Sequence, residues 1–182
     1  MAYYFTSDTH FGHINILRHC RRPFASIKEM DEALLEKWAE LKANDSLFHL
    51  GDVAKGNFDQ LAAVISRIRK ISCKKYLIPG NHDMNFLNLY AMAFTICPLV
   101  HHIGVQRKKV ETVHLILSHY PLYTWERREK GYLQLYGHVH SRFLGNKLQT
   151  DVGVDAWDYA PVTLEQIQDR LATLNEPIRL YK

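Results

Sequence analysis

Five apolar runs of β character each break off at a short polar segment rich in Asp, Asn and His, and this repeated ending constrains the fold more than any other feature of the chain. "YYFTS" leads into Asp8-Thr9-His10, "SLFHL" into Gly51-Asp52, and "KYLI", through Pro79, into Gly80-Asn81-His82-Asp83. "VHLIL" leads into Ser118-His119 and "YLQLY" into Gly137-His138-Val139-His140. In open α/β architecture ligands bind beyond the carboxyl ends of strands, so a single cleft is expected to gather all five segments. Residues two apart in extended backbone point to one side, so Asp8 with His10, and His138 with His140, are each expected to face one site. Taken singly, each segment has an ordinary reading: Gly-Asn-His-Asp as an Asx turn, His138 and His140 as polar residues of an edge strand. All five in this order, each after an apolar run, point instead to a metal-ligating set.

Three amphipathic stretches lie between these runs. Ser26 and Glu29 have capping-box spacing, and Met30, Leu34, Trp38 and Leu41 follow on one face. Asn57 opens the second, with Phe58, Leu61, Val64, Ile65 and Ile68 apolar and Arg67, Arg69 and Lys70 complementing the dipole at its end. The third follows Pro161, with Thr163 and Gln166 as a capping box and Leu164, Ile167, Leu171 and Leu174 apolar. "FTIC" and "LQTDVGV" read as further strands. Strands alternate with helices early and crowd together later, which predicts an α/β fold with mixed sheets. The 182 residues fit a single domain over 1–182, and 47% apolar with 23% charged residues is an ordinary globular mix.

The charge of +4 is spread over Arg21-Arg22, Arg107-Lys108-Lys109 and Arg127-Arg128, which suits an anionic substrate while leaving most of these side chains to solvent. Cys20, Cys73 and Cys97 have no paired spacing, so neither a disulfide framework nor a thiolate metal cage is expected, and a reducing cytoplasm is the natural setting. "MAYYFTSD" lacks a basic and then apolar leader pattern, and no apolar run is long enough to span a bilayer, so no membrane partner is expected. The oligomeric state is left open.

The segments "SDTH", "LGD", "PGNHD", "LSHYP" and "GHVH", spread from residue 7 to residue 140, resemble the five motifs of the calcineurin-like metallophosphoesterase superfamily. "SDTHFGHINIL", "RPFASIKEMDEAL" and "VGVDAWDYAPVTLEQI" also resemble small bacterial and phage members of it. The resemblance implies two mixed β-sheets packed as a sandwich with flanking helices, αββα, and a site for two divalent metal ions. Asp8, His10 and His140 would hold one ion, Asp52 would bridge, and Asn81, His119 and His138 would hold the second. Nitrogen and oxygen donors without thiolate suit Mn first, with Fe, Zn, Co or Ni as alternatives. The implied chemistry is attack of a metal-bridging hydroxide on a small phosphate ester, a phosphodiester or nucleotide favoured, with His82 as general acid. Asp83 would orient or cap the turn that carries Asn81 and His82.

The superfamily's protein phosphatases carry Gly-Asp-x-x-Asp-Arg-Gly, whereas this chain reads Gly51-Asp52-Val53-Ala54-Lys55-Gly56-Asn57, which argues against that substrate class. Lys55, His13 and Arg22 are candidate substrate contacts, each with a plainer reading as a solvated, structural or loop residue. Tyr120, Tyr123, Trp125, Trp157 and Tyr159 could stack on a base, though packing is the commoner role. Two other functions stand beside the leading one. A nuclease acting on DNA or RNA would use the same metal core with a continuous basic track. A non-catalytic scaffold, as in the retromer subunit of this fold, should have lost ligands, and this chain keeps every position that maps.

Overall fold

The computed structural model describes residues 1–108 and 111–178. In chain order the elements are β1 (Tyr3–Thr6), α1 (Ile14–His19), α2 (Ile27–Ala39), β2 (Ser46–His49), α3 (Phe58–Arg69), β3 (Lys74–Leu77) and α4 (Leu87–Tyr90). Then follow β4 (Thr95–Ile96), β5 (Val100–Lys108), β6 (Glu111–Ser118), β7 (Leu133–Tyr136), β8 (Gln149–Asp151), β9 (Val162–Thr163) and α5 (Leu164–Thr173). One sheet has the order β4-β3-β2-β1-β9, parallel except for the antiparallel β1–β9 pair. The other has the order β5-β6-β7-β8, parallel except for the antiparallel β5–β6 pair. Both sheets are therefore mixed, as the sequence predicts.

Strand alternation sends neighbouring residues into different cores. Leu47 and Leu77 face α2, α3 and α4, packing with Met30, Leu34, Trp38, Leu61, Ile65, Ile68 and Tyr90. Phe5, Phe48, Leu50 and Ile78 pack instead between the sheets, against Leu115, Leu117, Leu135 and Val152, with Ile167 and Leu171 of α5 closing the same core. The outer face of the second sheet presents Ile116 to Trp125 and Tyr132 of the connection before β7. Because each layer is apolar on the side it buries, the sandwich holds the carboxyl ends of β1, β2 and β3 in place.

The three expected helices form with their start signals in use. Ser26 Oγ accepts from the Glu29 amide, and Asn57 with Gln60 and Thr163 with Gln166 complete reciprocal capping boxes. Four elements escape sequence reading. Helix α1 has no side-chain cap, α4 and β9 span four and two residues, and β5 reads as "VHHIGVQRK", where polar residues hide the alternation that its burial shows. Among the described residues no helix is long and apolar enough to cross a membrane.

Candidate metal centre

The five strand-end segments meet at one end of the sandwich, on a cleft of about 420 Å³ whose walls include His10, Asp52, Asn81, His82, His138 and His140. The local geometry differs from the expected one. Asp8, His10, Asp52, His138 and His140 all take positive φ, between 47° and 69°, so neither Asp-x-His nor His-x-His is extended. Their side chains converge through left-handed turns, a conformation that non-glycine residues hold only when their surroundings enforce it. Two glycines allow the close approach. A Cβ on Gly137 would collide with Ser7 Oγ and Asp8 Oδ2, and one on Gly80 with Asp52 Oδ1.

Among the described residues the groups form four overlapping sets of metal-type donors, two of which (His10, Asp52 and His82; Cys20, His140 and Asp155) share residues with the other two. Asp8, His10 and His140 bring ligand-type atoms together, and so do Asp52, His119 and His138. Asp52 lies between them: its Oδ2 is 3.6 Å from His10 Nε2 and its Oδ1 is 3.6 Å from His119 Nε2. Asn81 Oδ1 lies 3.1 Å from His119 Nε2. His82 donates its backbone N–H to Asp52 Oδ1 at 2.9 Å, and its ring Nε2 is 3.9 Å from Asp52 Oδ2.

Hydrogen bonds behind these side chains set the tautomers of His119 and His140. Leu50 O accepts from His119 Nδ1 at 2.8 Å, so the Nε2 lone pair faces Asn81 Oδ1 and Asp52 Oδ1. His140 Nδ1 is 2.7 Å from Asp155 Oδ2, which turns Nε2 toward Asp8 Oδ1, 3.9 Å away. Asp8 Oδ2 accepts from the His138 amide at 2.8 Å, leaving Oδ1 buried with no partner. His10 Nε2 is likewise buried without a partner, while His10 Nδ1 is 3.3 Å from His13 Nδ1. Asp8 Oδ1 and His10 Nε2 are thus buried without a hydrogen-bond partner, which costs free energy that a bound cation would offset. The donor set fits divalent metal ions.

Burial dominates the electrostatics. It pushes Asp8 up to about 7 against the pull of His140, and with His140 and Arg22 nearby it holds His10 far below the ordinary imidazole range. Burial also opposes protonation of His140, but the hydrogen bond to Asp155, with Cys20 and Asp8 close by, outweighs it and raises His140 to about 10. Burial lowers His138, followed by the effect of His119.

Asp83 organises the other wall. Its Oδ2 accepts from Asp52 N and Gly80 N at 2.7 and 2.8 Å, and its Oδ1 from Val53 N at 3.0 Å. Burial nevertheless raises it to about 6. His13 lines the cleft, and burial together with Lys55 brings it down to about 4, so near neutral pH it is an uncharged imidazole. Lys55 is exposed and near His13.

Arg22 does not sit where a substrate contact would. It is 4% exposed, and its guanidinium donates to Asp155 and to the carbonyls of Asp8 and Thr9. The expectation fails because Asp155, its carboxylate partner, is 133 positions away. Of the five aromatic candidates, Tyr120 stands beside the centre, edge-on to His138 at 4.5 Å with its hydroxyl 3.3 Å from Asn81 Oδ1. Trp125 is packed in the outer core, Trp157 lies under Arg170, and Tyr159 packs edge-on to Phe24. Asp155 was not singled out by sequence reasoning; its one signal was a place in "VGVDAWDYAPVTLEQI".

A two-sheet α/β sandwich with paired His/Asp clusters beyond its strand ends defines a metallophosphoesterase-like protein. The chain belongs to the calcineurin-like phosphoesterase family, whose model matches residues 1–142. It is 25% identical over 172 residues to an uncharacterized protein of Methanocaldococcus jannaschii, covering 90% of this chain and 88% of that one. It is 27% identical over 199 residues to the gene 66 protein of Mycobacterium phage L5, covering 95% of each. Among solved structures, a protein of unknown function from Aquifex aeolicus, AQ665, superposes with a TM-score of 0.69 at 24% identity, over 92% of this chain and 98% of that one, a likeness of fold. Family membership and the His/Asp clusters support metal-dependent hydrolysis of a phosphoester.

Proposed function

We propose that this protein hydrolyses a small phosphate ester, a phosphodiester or nucleotide in preference to other esters, with His82 delivering a proton to the leaving oxygen. Asp8, His10 and His140 would hold one divalent ion, Asn81, His119 and His138 a second, and Asp52 would serve both. When bound, such ions supply Lewis acidity that activates water near neutral pH and neutralises phosphoryl oxygens. The donor set suits Mn, Fe, Zn, Ni or Co, and of these Mn is the ion proposed first. Three free cysteines fit a reducing, cytoplasmic setting.

The position of His82 carries the reading. Its side chain is 31% exposed at the cleft, against 3% and 2% for His10 and His119. His138 is exposed as well, but it groups with Asp52 and His119, whereas His82 borders His10 and Asp52 on the cleft side. An imidazole that borders the ligand set and is partly open to the cleft supports the proposed role of donor to the leaving group. The Asp52 carboxylate receiving the His82 amide, and Asp83 fixing the Gly80 and Asp52 amides, keep that imidazole against the site. A cleft of about 420 Å³ accommodates a small ester. Two of the clustered arginines, Arg22 and Arg128, are buried and engaged internally, so they add nothing to a basic track for nucleic acid. The Arg107-Lys108-Lys109 side chains lie outside the described residues.

The test compares leaving groups. Mn-loaded wild type and His82→Ala are assayed on bis(p-nitrophenyl) phosphate and on 2′,3′-cyclic nucleotides. Loss of a proton donor should cost about 10²–10⁴ in kcat on the cyclic nucleotide and much less on the nitrophenyl ester, whose leaving phenolate needs little help, with metal content unchanged. Equal turnover of variant and wild type on the cyclic nucleotide would remove His82 from the mechanism.

A further inference from the structure

Arg22 and Asp155 form a buried, two-pronged ion pair that hydrolysis does not itself require. Arg22 Nε donates to Asp155 Oδ1 and Nη2 to Asp155 Oδ2, both at 2.8 Å, in a two-pronged pair whose side chains are 0% and 5% exposed. Burying such a pair costs desolvation, and the geometry is retained where it fixes something. Here it fixes three things at once. Arg22 Nη2 donates to the Asp8 carbonyl at 2.7 Å, Nη1 donates to the Thr9 carbonyl at 2.9 Å just before His10, and Asp155 Oδ2 receives His140 Nδ1 at 2.7 Å. Asp8, His10 and His140 are one of the donor sets. The backbone of Asp52, between the clusters, is held by a different acid, Asp83.

We infer that Arg22 and Asp155 form a clamp that positions one metal half-site, Asp8, His10 and His140, independently of the half-site of Asn81, His119 and His138. Neither residue touches substrate; both are positioning residues. Arg22 sets the turn that brings Asp8 and His10 together. Asp155 keeps the proton of His140 on Nδ1, so that Nε2 offers its lone pair to the site. The inference rests on the two-ion reading above.

Asp155→Asn is a discriminating change because an amide cannot serve both neighbours. If its oxygen stays with His140, its NH2 meets the guanidinium donors; if it flips, its NH2 faces His140 Nδ1 and drives the proton onto Nε2, where it blocks coordination. Metal-stripped wild type, Asp155→Asn and Arg22→Lys are titrated calorimetrically with Mn²⁺, and the thermal midpoint of each stripped protein is recorded. The expected result is two binding events in wild type and, in Asp155→Asn, one event weakened about 10–100-fold with the other unchanged. Arg22→Lys, which keeps the charge but loses the fork, should show the same selective loss to a smaller degree and carries the test if Asp155→Asn does not fold. Two events weakened alike, or neither, in a folded variant would overturn the clamp while leaving the two-ion reading intact. Fewer than two events in wild type would overturn that reading and the clamp with it.

Discussion

A buried imidazole that is no ligand shows how much of the site is built by hydrogen bonds one layer back. His49 Nδ1 accepts from the Gly51 amide at 3.2 Å, so its proton lies on Nε2, which donates to Thr9 Oγ1 at 2.9 Å; the Thr9 hydroxyl then donates to Val53 O at 2.8 Å. One neutral ring thereby joins the turn carrying Asp8 and His10 to the turn carrying Asp52. Complete burial, with His119 nearby, lowers His49 to about 3. A folded-state value below the unfolded value of roughly 6.5 means the unfolded chain takes up a proton first. Stability is therefore intact above about 6.5 and is lost as pH falls toward 3, at about 1.4 kcal/mol per pH unit for this one group. Urea unfolding of stripped wild type and His49→Gln between pH 4 and 6 should show a steeper loss in wild type by that amount. Parallel slopes would mean that His49 is charged in the folded protein. The sequence made the ligand-type residues visible through their place after apolar runs. Their left-handed backbone and the distant partner Asp155 were invisible, because both depend on contacts across the fold and not on neighbours in the chain.

Elements were legible where local chemistry declared them. Helix α3 has an apolar stripe of Leu61, Ile65 and Ile68 and an opening in which Asn57 Oδ1 accepts from Gln60 N at 3.0 Å while Gln60 Oε1 accepts from Asn57 N at 2.9 Å. Removing the cap leaves first-turn donors unsatisfied. Asn57→Ala should lower unfolding free energy by about 1 kcal/mol, measurable by urea titration, with no change in bound metal, since the cap bonds of Asn57 run to Gln60 and to none of the ligand-type residues. A change below a few tenths would mean the Gln60 side chain alone secures that end. Strand β5 was illegible for the opposite reason. His101, Ile103 and Val105 turn inward and His102 and Gly104 outward, an alternation of burial that the residue types do not mirror. Across it, His102 Nε2 and His114 Nδ1 lie 3.0 Å apart and stack toward Tyr132, contacts formed only once β5 and β6 pair.

At the scale of the molecule, two sheets packed on a shared core, with a second core beneath the helices, bring five loops from residues 8 to 140 to one end, and the apolar layers bear the cost of crowding carboxylates and imidazoles there. Leu47 and Phe48, facing opposite cores from adjacent positions, illustrate how the same short strand ties the helices to the second sheet. The same packing offsets the cost of leaving Asp8 Oδ1 and His10 Nε2 buried without a hydrogen-bond partner. The account's central claim, that these clusters hold the metal ions on which phosphoester hydrolysis depends, is tested most directly by removing them. Hydrolysis of bis(p-nitrophenyl) phosphate is measured on the purified protein, after exhaustive chelation, and after adding back Mn²⁺. Turnover should disappear on chelation and return with Mn²⁺; turnover undiminished in the stripped protein would show that hydrolysis does not depend on metal ions at these clusters.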